Sequence, residues 1–126
     1  MGRSVVRGIR GAINVSQNKR SEILTATREL LAKMVKANHV KKEDIVSILF
    51  TMTTDLDAAY PAAAARELGW LDVPLMCAVE VPVPGSLPLC IRILIHVNTE
   101  ISQQEIKHIY LRDARSLRAD LADDNT

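Results

Sequence analysis

Aromatic side chains are nearly missing: Phe50, Tyr60, Trp70 and Tyr110 are the whole set in 126 residues. The core must therefore be aliphatic, and stacking platforms of the kind single-strand nucleic-acid binders use are not available. An excess of one charge is also lacking. Sixteen basic against fifteen acidic residues leave a net charge of +1, which is no electrostatic footprint for nucleic acid. Cysteine is limited to Cys77 and Cys90, without CxxC or metal-ligand spacing; buried structural thiols are the simpler reading, with a disulfide left open. No apolar run approaches the ~18 residues of a membrane helix, and the N-terminus has no signal-peptide stretch. A cytoplasmic protein with no membrane or nucleic-acid partner is the expectation. Gly-rich phosphate loops, GxSxG, HExxH and Cys/His clusters are absent too. His39, His96 and His108 are scattered, and no nucleophile stands with a base. An enzyme built this way relies on orientation and electrostatics more than on proton shuttling.

What is present reads as one domain of 1–126, long enough to bury roughly two thirds of its unfolded surface. Residues 4–15 read as a strand. Ser16, Asn18 and Ser21 offer helix caps. Ile23, Leu24, Thr27, Leu30, Leu31, Met34 and Val35 then recur at helical spacing, ending near Asn38-His39. Ile45 to Thr53 is a second strand. Ala58 to Leu68 predicts a helix with Pro61 in its first turn and Gly69 just past its end. Val73–Val81 and Cys90–Asn98 are further strands, separated by a stiff loop, Pro82–Pro88. Ser102-Gln103-Gln104-Glu105 matches a capping box and predicts a third helix over about 102–111. Residues after about 119 are expected to form a flexible tail. The order β, α, β, α, β, β, α points to an α+β or α/β sandwich. Four apolar strands exceed what three modest helices can cover, so association through a sheet face or edge is expected.

Three ionic residues interrupt the apolar strands: Arg10, Glu80 and Arg92. Arg92, within Cys90-Ile91-Arg92-Ile93-Leu94-Ile95-His96-Val97, carries a charge that cannot be titrated away and so needs an acceptor or a ligand. Ten of the sixteen basic residues are arginine, the residue suited to bidentate carboxylate recognition. The cationic excess in the strands favours an anionic ligand. From the strand pattern alone, a structural ion pair between Arg92 and Glu80 fits as well as a ligand contact. His96 can share a face with Arg92, although a satisfied core histidine is the simpler reading. Cys77 and Glu80 differ by three, so a regular strand sends them to opposite faces. Arg7 and Arg10 point apart likewise, which makes Arg7 a structural or interface ion-pair residue.

Several strings are distinctive together: Arg7-Gly8-Ile9-Arg10-Gly11-Ala12; Tyr60-Pro61-Ala62 with Ala64 to Trp70; Val73-Pro74-Leu75-Met76-Cys77 with Glu80; Pro84-Gly85-Ser86-Leu87 with Cys90-Ile91-Arg92; and Ile106 to Leu111. In this order and spacing, over roughly residues 4 to 121, the chain resembles the small, barrel-forming class of monofunctional chorismate mutase. The resemblance implies an α+β fold, a mixed β-sheet flanked by helices of the ferredoxin-like or chorismate-mutase-like kind, assembling as a trimeric pseudo-α/β-barrel with sites in clefts between subunits. It implies the conversion of chorismate to prephenate, on the route to phenylalanine and tyrosine, by a pericyclic rearrangement without cofactor or metal. By motif match it implies that Arg92, Glu80 and Arg10 are catalytic. Tyr60, Arg66, Cys77, Tyr110, Leu117 and Arg118 would complete the substrate-binding set.

Family members carry lysine where Ala63 stands and proline where Ala119 stands, and often phenylalanine at Tyr60; these departures thin the cationic rim and loosen the tail. An imine- or enamine-hydrolysing deaminase, or a non-catalytic module for small carboxylates, is the alternative for a trimer of this shape.

Overall fold

The computed structural model describes residues 3–117. Strands β1 (Val5–Asn14), β2 (Ile45–Met52), β3 (Leu75–Val79), β4 (Cys90–Thr99) and β5 (Ile109–Tyr110) form one sheet in the order β3-β2-β4-β1-β5. β4 runs antiparallel to both β1 and β2, whereas β3 is parallel to β2 and β5 to β1. Helix α1 (Arg20–Ala37) joins β1 to β2, and α2 (Ala62–Glu67) joins β2 to β3. The result is the α+β arrangement of a mixed sheet flanked by helices.

Alternation along the strands sorts the side chains. Ile9, Ile13, Ile48, Phe50, Ile91, Ile93 and Ile95 point one way and pack with Ile23, Leu30, Leu31 and Met34 of α1 and with Ala62 and Ala65 of α2. This is the aliphatic core that the shortage of rings requires. Gly11 lies on the same side: a Cβ there would collide with Met34 Sδ and lie 3.1 Å from Leu30 Cδ1, so any side chain requires Met34 to shift within the core. The other side of the sheet carries Arg10, Ala12, Leu49, Thr51, Met76, Leu94 and Arg92. Among the described residues it is covered at one corner, where Ala114 of a 3₁₀ turn (Arg112–Ser116) packs with Ala12 and Cys90.

Local chemistry departs from expectation at four places. The N-cap of α1 is Lys19, which makes no side-chain cap bond, and not Ser16, Asn18 or Ser21. Glu22 in the first turn instead gathers the Ser16 hydroxyl and the amides of Ser16 and Gln17, while Asn18 reaches across to Asp57 and Ala58. That Asn18 clamp, together with the bias of a residue before proline away from helical angles, delays α2 from Ala58 to Ala62. The third helix is corrected as well. The capping box forms, with the Ser102 amide and hydroxyl both on Glu105 Oε1, but it closes a single 3₁₀ turn (Gln103–Glu105). Beyond it Ile106 enters the core, Asn38 holds both backbone groups of Lys107, and Ile109–Tyr110 pairs with the free edge of β1. Tertiary pairing outweighs a propensity that only about ten residues express. Finally, among the described residues the ion pair expected for Arg7 within the chain is replaced by a hydrogen bond from Nε to the Ile101 carbonyl at 3.1 Å, and its alternative role at an interface stays an expectation.

Candidate active site

Pairing register builds the site. Tyr110, Ala12, Arg92, Thr51 and Ala78 are successive cross-strand partners on β5, β1, β4, β2 and β3, so they lie in one row on the open face. In the next row Arg10 pairs with Leu94, and Leu94 with Leu49. Ala12 is fully buried, and its small side chain leaves room between Arg92 and Tyr110. Arg10, Gly11, Leu49, Thr51, Glu80, Arg92, Ile93, Leu94 and Tyr110 line a cavity of ≈ 210 Å³.

Glu80 reaches this cavity because the chain stays extended for one step beyond β3. Its amide donates to the Met52 carbonyl at 2.9 Å, and two steps of alternation from Ala78 set its side chain on the open face. Cys77, the partner of Phe50, packs against the core on the helix side, so the two residues separate as their odd spacing requires. The Thr51 hydroxyl donates to Glu80 Oε2, and Arg92 Nε stands 3.6 Å from that same oxygen. This distance is longer than a hydrogen bond, which leaves the guanidinium fork uncommitted to Glu80.

The Arg92 side chain is 44% exposed, with no helix among the described residues covering this face, and its charge is therefore not forced into a closed internal pair by desolvation. Beside it, burial pushes the Cys90 thiol up to about 11, against the pull of the Arg92 charge. Cys90 is thus a neutral thiol at physiological pH. Two guanidinia and one carboxylate leave the cavity one positive charge, between apolar walls from Leu49 and Leu94 and the Tyr110 ring. The arrangement suits a small, hydroxylated anion with an apolar body.

Leu117 packs against the Ala12, Cys90 and Ala114 corner on the same face. Tyr60 and Arg66, by contrast, are exposed at the α2 end of the molecule and do not line the cavity. Arg118, Ala119 and the expected tail lie outside the described residues. His96 shares the open face two alternations from Arg92, where Ser47 Oγ lies 3.1 Å from its Nδ1. Thr51 is the residue that sequence reasoning missed. A polar side chain between Phe50 and Met52 was the available signal, but only register puts it opposite Arg92.

Residues 6–121 match the family described as chorismate mutase type I. This chain belongs to that family. Chorismate mutase AroH of Thermus thermophilus is 52% identical over 118 residues, which is 93% of this chain and 97% of the relative. Chorismate mutase AroH of Bacillus subtilis (strain 168) is 45% identical over 119 residues, 94% of each chain. Among solved structures, a chorismate mutase from Clostridium thermocellum superposes with a TM-score of 0.85 at 50% identity, covering 86% of this chain and 97% of the other. The mixed sheet and its helices are accordingly those of a type I chorismate mutase, and no helix among the described residues is long and apolar enough to cross a membrane.

Proposed function

We propose that the open-face cavity is where this chorismate mutase converts chorismate to prephenate, with Arg92 as the principal catalytic residue. The single observation that carries the reading is the convergence of Arg10, Glu80, Arg92 and Tyr110 on one cavity in a chain of this family. The substrate is a dianion whose extended form must be held as a compact chair, so confinement removes rotational freedom before the reaction begins. Its ether C–O bond breaks ahead of C–C formation, and negative charge grows on the ether oxygen. A rigid guanidinium at that oxygen interacts more strongly with the transition state than with the ground state, which is the condition for catalysis. Arg10 binds a substrate carboxylate, Glu80 accepts a hydrogen bond from the ring hydroxyl, and Tyr110 adds a polar contact.

A dianion beside one net positive charge remains under-compensated, and a largely uncovered sheet face remains wet. Both problems are met if the chain works as a homotrimer in which a neighbouring copy supplies Tyr60, Arg66 and the Cys77 segment to the rim, with Leu117 and Arg118 at its C-terminal side. The exposed Met76, Val79, Val81 and Val83 along the β3 margin support association. The two free cysteines fit a reducing compartment, and we assign the protein to the cytoplasm.

The test follows the loss of chorismate's diene absorbance together with light scattering. Saturable turnover by a particle of three times the 13.9 kDa chain mass is expected. No turnover at micromolar protein overturns the activity, and an active monomer overturns the shared site.

A further inference from the structure

We propose that Thr51 is a positioning residue: it holds the Glu80 carboxylate in place and thereby keeps the Arg92 fork free for the substrate. This rests on the roles given above to Glu80 and Arg92. Glu80 is the first residue beyond β3, and its backbone is tied to the sheet through the amide bond to Met52. Its side chain has two neighbours of opposite kind, the Thr51 hydroxyl and the Arg92 guanidinium, and both engage Oε2. Oε1 has no hydrogen-bond partner among the described residues and is left for a ligand hydroxyl.

A carboxylate near a guanidinium gains most by closing on it in a two-point fork. Here it does not close, and the pair stands at 3.6 Å through Nε. Thr51 explains why. It faces Arg92 directly across the β2–β4 ladder on the same side of the sheet, and its single hydroxyl proton goes to Oε2. Without that proton, Glu80 is free to swing onto the guanidinium. The swing would neutralise the cation that the reaction needs and withdraw the acceptor for the ring hydroxyl.

The variants are chosen to preserve the strand. Thr51→Val keeps the β-branched shape and removes only the hydroxyl; Thr51→Ser returns it. Loss of a hydrogen bond to a charged group predicts a fall in kcat/KM of roughly 10- to 100-fold in Thr51→Val, carried mainly by kcat, with Tm nearly unchanged. Thr51→Ser is expected to recover to within about threefold. In a Glu80→Ala background, adding Thr51→Val is expected to change kcat/KM by less than about twofold, because the residue it acts through is gone. A loss that serine does not rescue, or one that persists undiminished in Glu80→Ala, overturns the proposal in favour of packing or direct substrate contact. If Glu80→Ala is impaired while Thr51→Val matches the unsubstituted chain, Thr51 alone is misassigned. If Glu80→Ala is fully active, the reading of Glu80 fails first and takes Thr51 with it.

Discussion

The two faces of one sheet divide the work of this protein, although they are built from the same strands. Ile91 and Arg92 are adjacent in β4, yet Ile91 is fully buried under α1 and Arg92 stands half-exposed beside the cavity. Phe50 and Thr51 are split in the same way on β2. A period of two lets each strand give every other residue to stability and the rest to chemistry. The helix face tolerates no charge and holds the fold together. The open face has little to hold, and can keep a cation whose only carboxylate neighbour among the described residues stands at 3.6 Å, with its fork open to a ligand.

That division predicts that substitutions on the open face cost rate and those on the helix face cost stability. Arg92→Lys is the strongest probe. The charge stays but the fork is lost, and kcat is expected to fall by on the order of 10³ or more, with a modest change in KM and little in Tm. A near-normal rate would mean that the guanidinium geometry is not what accelerates the reaction. Ile91→Ala should do the reverse, losing about 3 kcal/mol in denaturant unfolding while kcat per folded molecule is kept. Gly11→Ala forces a methyl group against Met34 and should cost about 2 kcal/mol by the same measurement. If it instead abolished turnover in a stable protein, the two faces would not be separable at β1.

The smallest effect concerns Cys90, whose thiol is raised from a usual value of 9.0 to about 11 because it is buried. The fold favours its neutral form, so that stabilisation is present below about pH 9 and lost as pH climbs through about 11. Cys90→Ala should flatten the stability profile across that window. Alkylation near pH 8 followed by mass spectrometry should mark the more accessible Cys77 before Cys90.

Much of this was legible in the residues, and the exceptions have physical reasons. The α1 face was plain in its spacing, and the parting of Cys77 from Glu80 follows from counting alone. The helix expected over 102–111 failed because its start signal is local, whereas the pull on Ile106, Lys107 and Ile109 comes from β1, Asn38 and the core, far away in sequence. Thr51 was hidden for a related reason. Its importance depends on which residue faces it across the ladder, and register is not written in either strand by itself. Tyr60 and Arg66 are assigned to the site by motif alone; within one chain they stand apart from it, and the trimer proposed above is what would bring them in.

The sheet's margins are unlike: β3 offers five residues with Met76 and Val79 exposed, while β5 is only two residues long. A two-fold axis matches a margin only with its own copy, so a contact that joins the β3 margin to the β5 margin is heterologous. A contact of that kind runs head to tail, and the trimer proposed above is the case in which rotation closes it into a ring. A fault at one margin would then open the circle and leave a sticky end, so dilution or damage there should cost solubility and turnover together, because the proposed site spans the same contact.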